Sequence, residues 1–146
     1  MAEFDTDAFE DFLKDISEPF ITEDIATWAA RIRLPFSMVT QSGPATLETF
    51  QHVEKNFELY LKAKKILGLE MVVREPIGFE VCPDGTVIAT YRTNLLRTNG
   101  TRVQAPYTSS ALLHFENETW RMSAIMNALG HHRWTDTHPL KERGER

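Results

Sequence analysis

Apolar residues recur along this chain with a helical period in the first half and a strand period in the second. Thr6 is placed to cap a short helix whose Phe9, Phe12, Leu13 and Ile16 fall on one face. Pro19 interrupts that pattern. Thr22 is placed to cap a second helix, with Glu23 and Asp24 in its first turn and Ile25, Trp28, Ala29 and Ile32 as its stripe. Pro35 closes it, because the residue before a proline avoids the helical region. Phe36 to Thr40 reads as a short strand, and Gln41-Ser42-Gly43-Pro44 as a turn. The longest helix is expected from about Thr46 to Leu67. Its stripe is Leu47, Phe50, Val53, Phe57, Leu61 and Leu67, with Tyr60 beside it and Gly68 at the position that favours glycine.

From Leu69 onward the period is two. Leu69, Met71 and Val73 alternate with Glu70, Val72 and Arg74, and Ile77, Phe79 and Val81 resume the apolar beat. Pro76 and Gly78 break the ladder between them and mark a bulge or an edge strand. Pro83-Asp84-Gly85 is a turn, and Asn99-Gly100 is a strong hairpin signal between strands at Thr86–Thr98 and Val103–Phe115. Asn117-Glu118 turns again into a last strand, Thr119–Ala128. Helices segregated from an antiparallel meander mean α+β. The expected architecture is a cone: a curved antiparallel sheet wrapped over three helices of the N-terminal half, with a cavity at its concave face. Residues 1–130 form one domain in this reading, and 131–146 a polar tail.

Composition narrows the function classes. With 146 residues, 42% hydrophobic, the chain can bury a sizeable core without metal or disulfide help. A formal net charge of -5 argues against a nucleic-acid partner. Lys62, Lys64 and Lys65 lie at a helix C-terminus, where they complement the dipole. Cys82 is the only cysteine, so no intrachain disulfide is possible. No signal-peptide pattern and no membrane-length apolar run is present, which points to a cytoplasmic protein with no membrane partner.

Three segments carry a resemblance. Ile21-Thr22-Glu23-Asp24-Ile25 leads to Trp28, Thr46-Leu47-Glu48-Thr49-Phe50 opens the long helix, and Glu116-Asn117-Glu118-Thr119-Trp120-Arg121-Met122 closes the sheet. In this order, from about Asp5 to Ala128, they resemble the nuclear-transport-factor-like superfamily. It includes ketosteroid isomerase, the SnoaL polyketide cyclases, scytalone dehydratase and limonene epoxide hydrolase. The resemblance implies the cystatin-like α+β cone and pairing into homodimers through the outer sheet face. It does not fix an activity, since this fold hosts enzymes and binding modules alike.

Alternation places Val87, Ala89, Tyr91, Thr93 and Leu95 on the helix-facing side, with Tyr107, Ser109, Ala111, Leu113 and Phe115, then Trp120, Met122, Ala124 and Met126. A pocket lined by Trp28, Tyr60, Tyr91, Thr93, Tyr107 and Met126 would suit a small, largely apolar organic ligand. Arg92, Asn94, His114 and Arg121 fall on the outer face and suit a polar dimer interface. An isomerase or cyclase of the superfamily needs a carboxylate inside the cone. The inward phase of the last three strands holds no Asp or Glu, and Glu75, in phase with Met71 and Val73, reads as a solvated edge residue. The Arg-x-Asp pair of the epoxide hydrolases corresponds here to Arg92-Thr93-Asn94, with Asn127 near the later Asp, so both carboxylates would be amides. His114 could serve a dehydratase only if the faces were inverted, and His52 falls on the polar side of the long helix. His131, His132 and His138, with Asp136, do not form a convincing metal set, and no cofactor is implied. The expected function is a small-molecule-binding protein with a tyrosine-lined cone. The alternatives are a cyclase-, isomerase- or dehydratase-like enzyme and a non-catalytic homodimeric interaction module.

Overall fold

A computed structural model describes residues 3–40, 43–103 and 105–126. Gln41-Ser42, Asn127 and the polar, histidine-bearing tail expected from the sequence lie outside the described residues.

The chain opens with α1 (Thr6–Ser17), α2 (Pro19–Thr22) and α3 (Ile25–Ala30). The caps differ from those expected by sequence: Asp5 accepts from the Ala8 amide and Asp24 from the Thr27 amide, so a carboxylate opens each helix where a threonine was expected. Phe9, Phe12, Leu13 and Ile16 are buried as one stripe of α1. Ile32 leaves the helical stripe because it starts β1 (Ile32–Thr40) and pairs in parallel with Met122. Arg31, at the junction, pins that exit. Its carbonyl accepts from the Met122 amide at 2.8 Å, and its guanidinium reaches Asp15 of α1 at 2.9 Å and the Trp120 carbonyl at 3.1 Å.

The segment Gly43–Leu47, expected partly as turn and partly as helix, is strand β2, antiparallel to β1. Its period-two burial, with Ala45 and Leu47 inside, is the reason. Helix α4 therefore begins later, at Phe50–Leu67, capped by the Thr49 hydroxyl accepting from the His52 amide. His52 turns back so that its Nδ1 accepts from the Glu48 amide, which makes it part of the helix start. Gly68 ends α4 in the left-handed region at φ 70°, as glycine permits. Lys64 in the last turn of α4 is tied to Glu23 at 3.1 Å and reaches the Ile21 carbonyl at 3.5 Å.

Strands β3 (Leu69–Val81), β4 (Val87–Arg97), β5 (Tyr107–Glu116) and β6 (Thr119–Met126) complete a six-stranded sheet in the order β2-β1-β6-β5-β4-β3. The expected meander is present, with β3 at the edge and a register shift between Pro76 and Gly78. One pairing departs from an antiparallel sheet: β1 beside β6 is parallel, so the sheet is mixed. The helices pack on one side of it, and their contact layer is aromatic. Phe20 sits with its ring centroid 4.9 Å from Trp28, 5.2 Å from Phe57 and 4.9 Å from Tyr60. No helix among the described residues is long and apolar enough to cross a membrane.

Candidate functional site

Strand β4 alternates as its sequence requires. Val87, Ala89, Tyr91, Thr93 and Leu95 are buried toward the helices, opposite Ser109, Ala111 and Leu113 of β5. Two bulges then change the phase of the flanking strands. In β6, Leu113 pairs with Met122 but Leu112 pairs with Ala124, so Ser123 is an extra residue. Beyond it Ile125 faces in, whereas Ala124 and Met126 face out, and Met126 is 57% exposed instead of lining the cone. In β3, Leu69 pairs with Arg97 and Met71 with Leu96, leaving Glu70 as the extra residue. Val72 and Arg74 then share the inward phase, while Met71, Val73 and Glu75 take the outward one.

Between sheet and helices lies a cavity of about 30 Å³ whose walls include Phe20, Trp28, Tyr60, Arg74, Tyr91 and Tyr107. Four of the six expected pocket residues therefore meet there. Thr93, fully buried, stands behind the wall and accepts from Arg74 Nη1 at 2.9 Å. The volume holds about one water, so the cone's own aromatics fill most of it. Arg74 is the residue that sequence reasoning missed. Its only sequence signal is the Val72-Val73 pair, which puts one apolar residue in each phase; alternation alone favours the Met71 phase, and the bulge at Glu70 overrides it.

The cavity is electrostatically one unit. Arg74 Cζ lies 5.8 Å from the centroid of the Tyr91 ring, a cation–π distance. Burial pushes the Tyr91 phenol up to about 12, with Arg74 pulling the other way and Tyr107 adding to the rise. Tyr60 is likewise pushed well above the ordinary phenol range, first by burial and then by Tyr107. Both phenols are neutral donors at physiological pH and not bases. Among the described residues no Asp or Glu lines the cavity. Trp28 Nε1, Tyr91 Oη and Arg74 Nε, all of residues on its walls, are buried and have no hydrogen-bond partner among the described residues.

The outer face carries the residues expected for a dimer. Arg92 is exposed, and Asn94, His114 and Arg121 are half-buried. His114 pairs across the strands with Arg121 and its Nε2 lies 2.6 Å from Ser123 Oγ, so the faces are not inverted. Partial burial, then the Arg33 charge, holds the His114 imidazole below its ordinary value. Beside this polar set runs an apolar groove lined by Val39, Ile88, Leu112, Ala124 and Met126. Among the described residues no group of His, Cys, Asp and Glu is placed to hold a metal ion.

Solved structures place this architecture. An NTF-2-like protein of unknown function from Shewanella oneidensis superposes with a TM-score of 0.64 at 11% identity, over 83% of this chain and 96% of that one. A cystatin-like-fold domain of unknown function from Nostoc punctiforme gives 0.66 at 12% identity, over 86% and 77%. A putative aromatic ring hydroxylase from Novosphingobium aromaticivorans gives 0.57 at 10% identity, over 82% and 84%. The chain therefore has the NTF2-like, cystatin-like α+β fold, as the sequence resemblance implied. No protein-family model matches the chain, and no curated protein matches it either.

Proposed function

We propose that the chain is a small-molecule-binding protein that takes its ligand into the cone. The observation that carries this reading is the set of three buried groups, Trp28 Nε1, Tyr91 Oη and Arg74 Nε, left without partners among the described residues around one cavity. Each such group costs about 1–3 kcal/mol if nothing satisfies it, so three around one space favour an occupant that supplies acceptors. The apolar wall of Phe20, Phe36, Met38 and Met122 would take the hydrophobic part of that occupant. A cyclase- or isomerase-like reaction through an internal carboxylate is disfavoured, since the ionised group on the cavity wall is a guanidinium.

Entry is proposed at the end where Arg74, Tyr107 and Ile125 lie, the half-buried members of an otherwise buried wall. Titrating small organic molecules into ¹⁵N-labelled protein tests the reading. A binder is expected to shift the Trp28 indole N–H, and Tyr91→Phe to weaken it about fivefold, the worth of one hydrogen bond of ~1 kcal/mol. Shifts confined to the outer sheet face would refute a ligand in the cone.

The outer groove favours a second reading, in which the chain pairs with its own copy. Exposed Val39, Ile88 and Met126 form an apolar strip on the sheet face that also carries Arg92 and Arg121, the composition of an interface core with a polar rim. Ile88→Asp should halve the mass seen by light scattering and leave the circular dichroism unchanged. A variant that retains the wild-type mass removes this face from consideration.

A further inference from the structure

The unpartnered groups of the cone share one chemical property. Arg74 Nε and Trp28 Nε1 can only donate a hydrogen bond, and the Tyr91 hydroxyl is held in its protonated, donating form. The Thr93 hydroxyl accepts from Arg74 Nη1 at 2.9 Å and leaves Nε without a partner among the described residues. Among the described residues no carboxylate forms an ion pair with Arg74, although Arg31, Arg33 and Lys64 each have one. A guanidinium stays charged at any pH the fold survives. The cone therefore presents a half-buried guanidinium that has no ion-pair partner among the described residues, and three donors, to a space with apolar walls.

From this arrangement we infer that the ligand is a small organic carboxylate, its carboxylate seated against Arg74, Tyr91 and Trp28 and its apolar part against the remaining wall. The inference rests on the cone being the binding site. A carboxylate is acceptor-only with two oxygens, so it satisfies several donors at once and neutralises the guanidinium. A neutral alcohol or amide would leave the charge uncompensated and bring its own donors to a site already full of them. Size sets a second condition. About 30 Å³ is the room of about one water, less than a carboxylate head group needs, so even a short acid must shift part of the wall. The body of a larger acid must displace side chains at the half-buried end, where Tyr107 and Ile125 lie. Short acids should therefore bind with the least rearrangement, and aromatic acids only with movement of Tyr107.

The experiment is a calorimetric titration of the wild-type protein, at low chloride, with acetate, propionate and benzoate against acetamide, propionamide and benzamide. The Trp28 indole N–H is followed in parallel by NMR. At least one carboxylate is expected to bind and shift that resonance, with its amide at least tenfold weaker. Arg74→Gln should lower carboxylate affinity at least tenfold, and Arg74→Lys should recover part of it. Should Arg74→Gln not fold, the acid-against-amide comparison on the wild type decides alone. Amides that bind as well as their acids overturn the carboxylate inference and leave the cone as a binding site. An Arg74→Gln variant that folds and keeps full affinity overturns it too. No binding by either series, with an unmoved Trp28 resonance, removes both.

Discussion

Phe20→Ala is expected to destabilise the protein by about 3–5 kcal/mol, a large share of the whole stability of a domain this size. Phe20 is 1% exposed, lies on a helix of only four residues and cannot be replaced by its neighbours. Its ring is stacked at 25° on Phe57 of α4 and tilted against Trp28 of α3 and Tyr60 of α4, so one side chain joins three helices. It also forms part of the cavity wall. Truncation would add its vacated volume to an existing space, which the surrounding helices could close only by shifting α2. Urea denaturation followed by circular dichroism measures the loss. Phe20→Leu, which keeps most of the volume, should cost about 1–1.5 kcal/mol. A loss below about 1.5 kcal/mol for the alanine variant would show that the cone collapses onto the gap. A loss near the upper figure, partly recovered by added benzene or indole, would show that the enlarged cavity stays open.

How much of this was legible in the sequence follows from which signals are local. Period and turn chemistry are local, so the long helix, the Gly68 cap, the edge position of β3 and the four-strand meander could all be read from residues close together in the chain. The β1–β2 hairpin was read only in part, because Ala45 and Leu47 make too short an alternation to stand out beside a helix of 18 residues. The site was legible on β4, where nothing interrupts the alternation, and that strand supplied Tyr91 and Thr93 as inward residues. It failed where a bulge intervened. Ser123 is small and polar enough to pass for an ordinary outward residue, so the expected phase carried Met126 into the cone while the structure puts Ile125 there. Glu70 did the same in β3, and the consequence was larger. The pocket expected from sequence was a neutral, tyrosine-lined space, whereas the cavity has a guanidinium in its wall. Bulges are set by cross-strand pairing, which is long-range, and so neither could be placed from neighbouring residues alone.

The same buried phenols give the protein a defined alkaline limit. Tyr91 is fully buried, and its phenol ionises at about 12 against an ordinary value of 10.0, because the phenolate would stand in an apolar wall. The folded state therefore holds that proton more tightly than the unfolded chain does. Its contribution to stability is complete below pH 10, where both states are protonated. It is lost as pH rises toward 12, where the unfolded chain has released the proton and the folded state has not. At about 1.4 kcal/mol per pH unit, the loss across this window is about 2–3 kcal/mol from Tyr91, and Tyr60, raised for the same reason, adds to it. Denaturant midpoints measured from pH 8 to 12 should hold level at first and then fall through the window. Tyr91→Phe should flatten the fall. At neutral pH, without ligand, the same variant should be no less stable than the wild type, because it removes a buried hydroxyl that has no partner. If Tyr91→Phe instead lost 1 kcal/mol or more at neutral pH, the hydroxyl would have to be satisfied already, and an occupant carried through purification would be the first thing to look for. If the variant matched the wild type at neutral pH but kept its full alkaline slope, the loss would belong to Tyr60 and the packing of α4, and Tyr91 would have to reach water more readily than its burial implies.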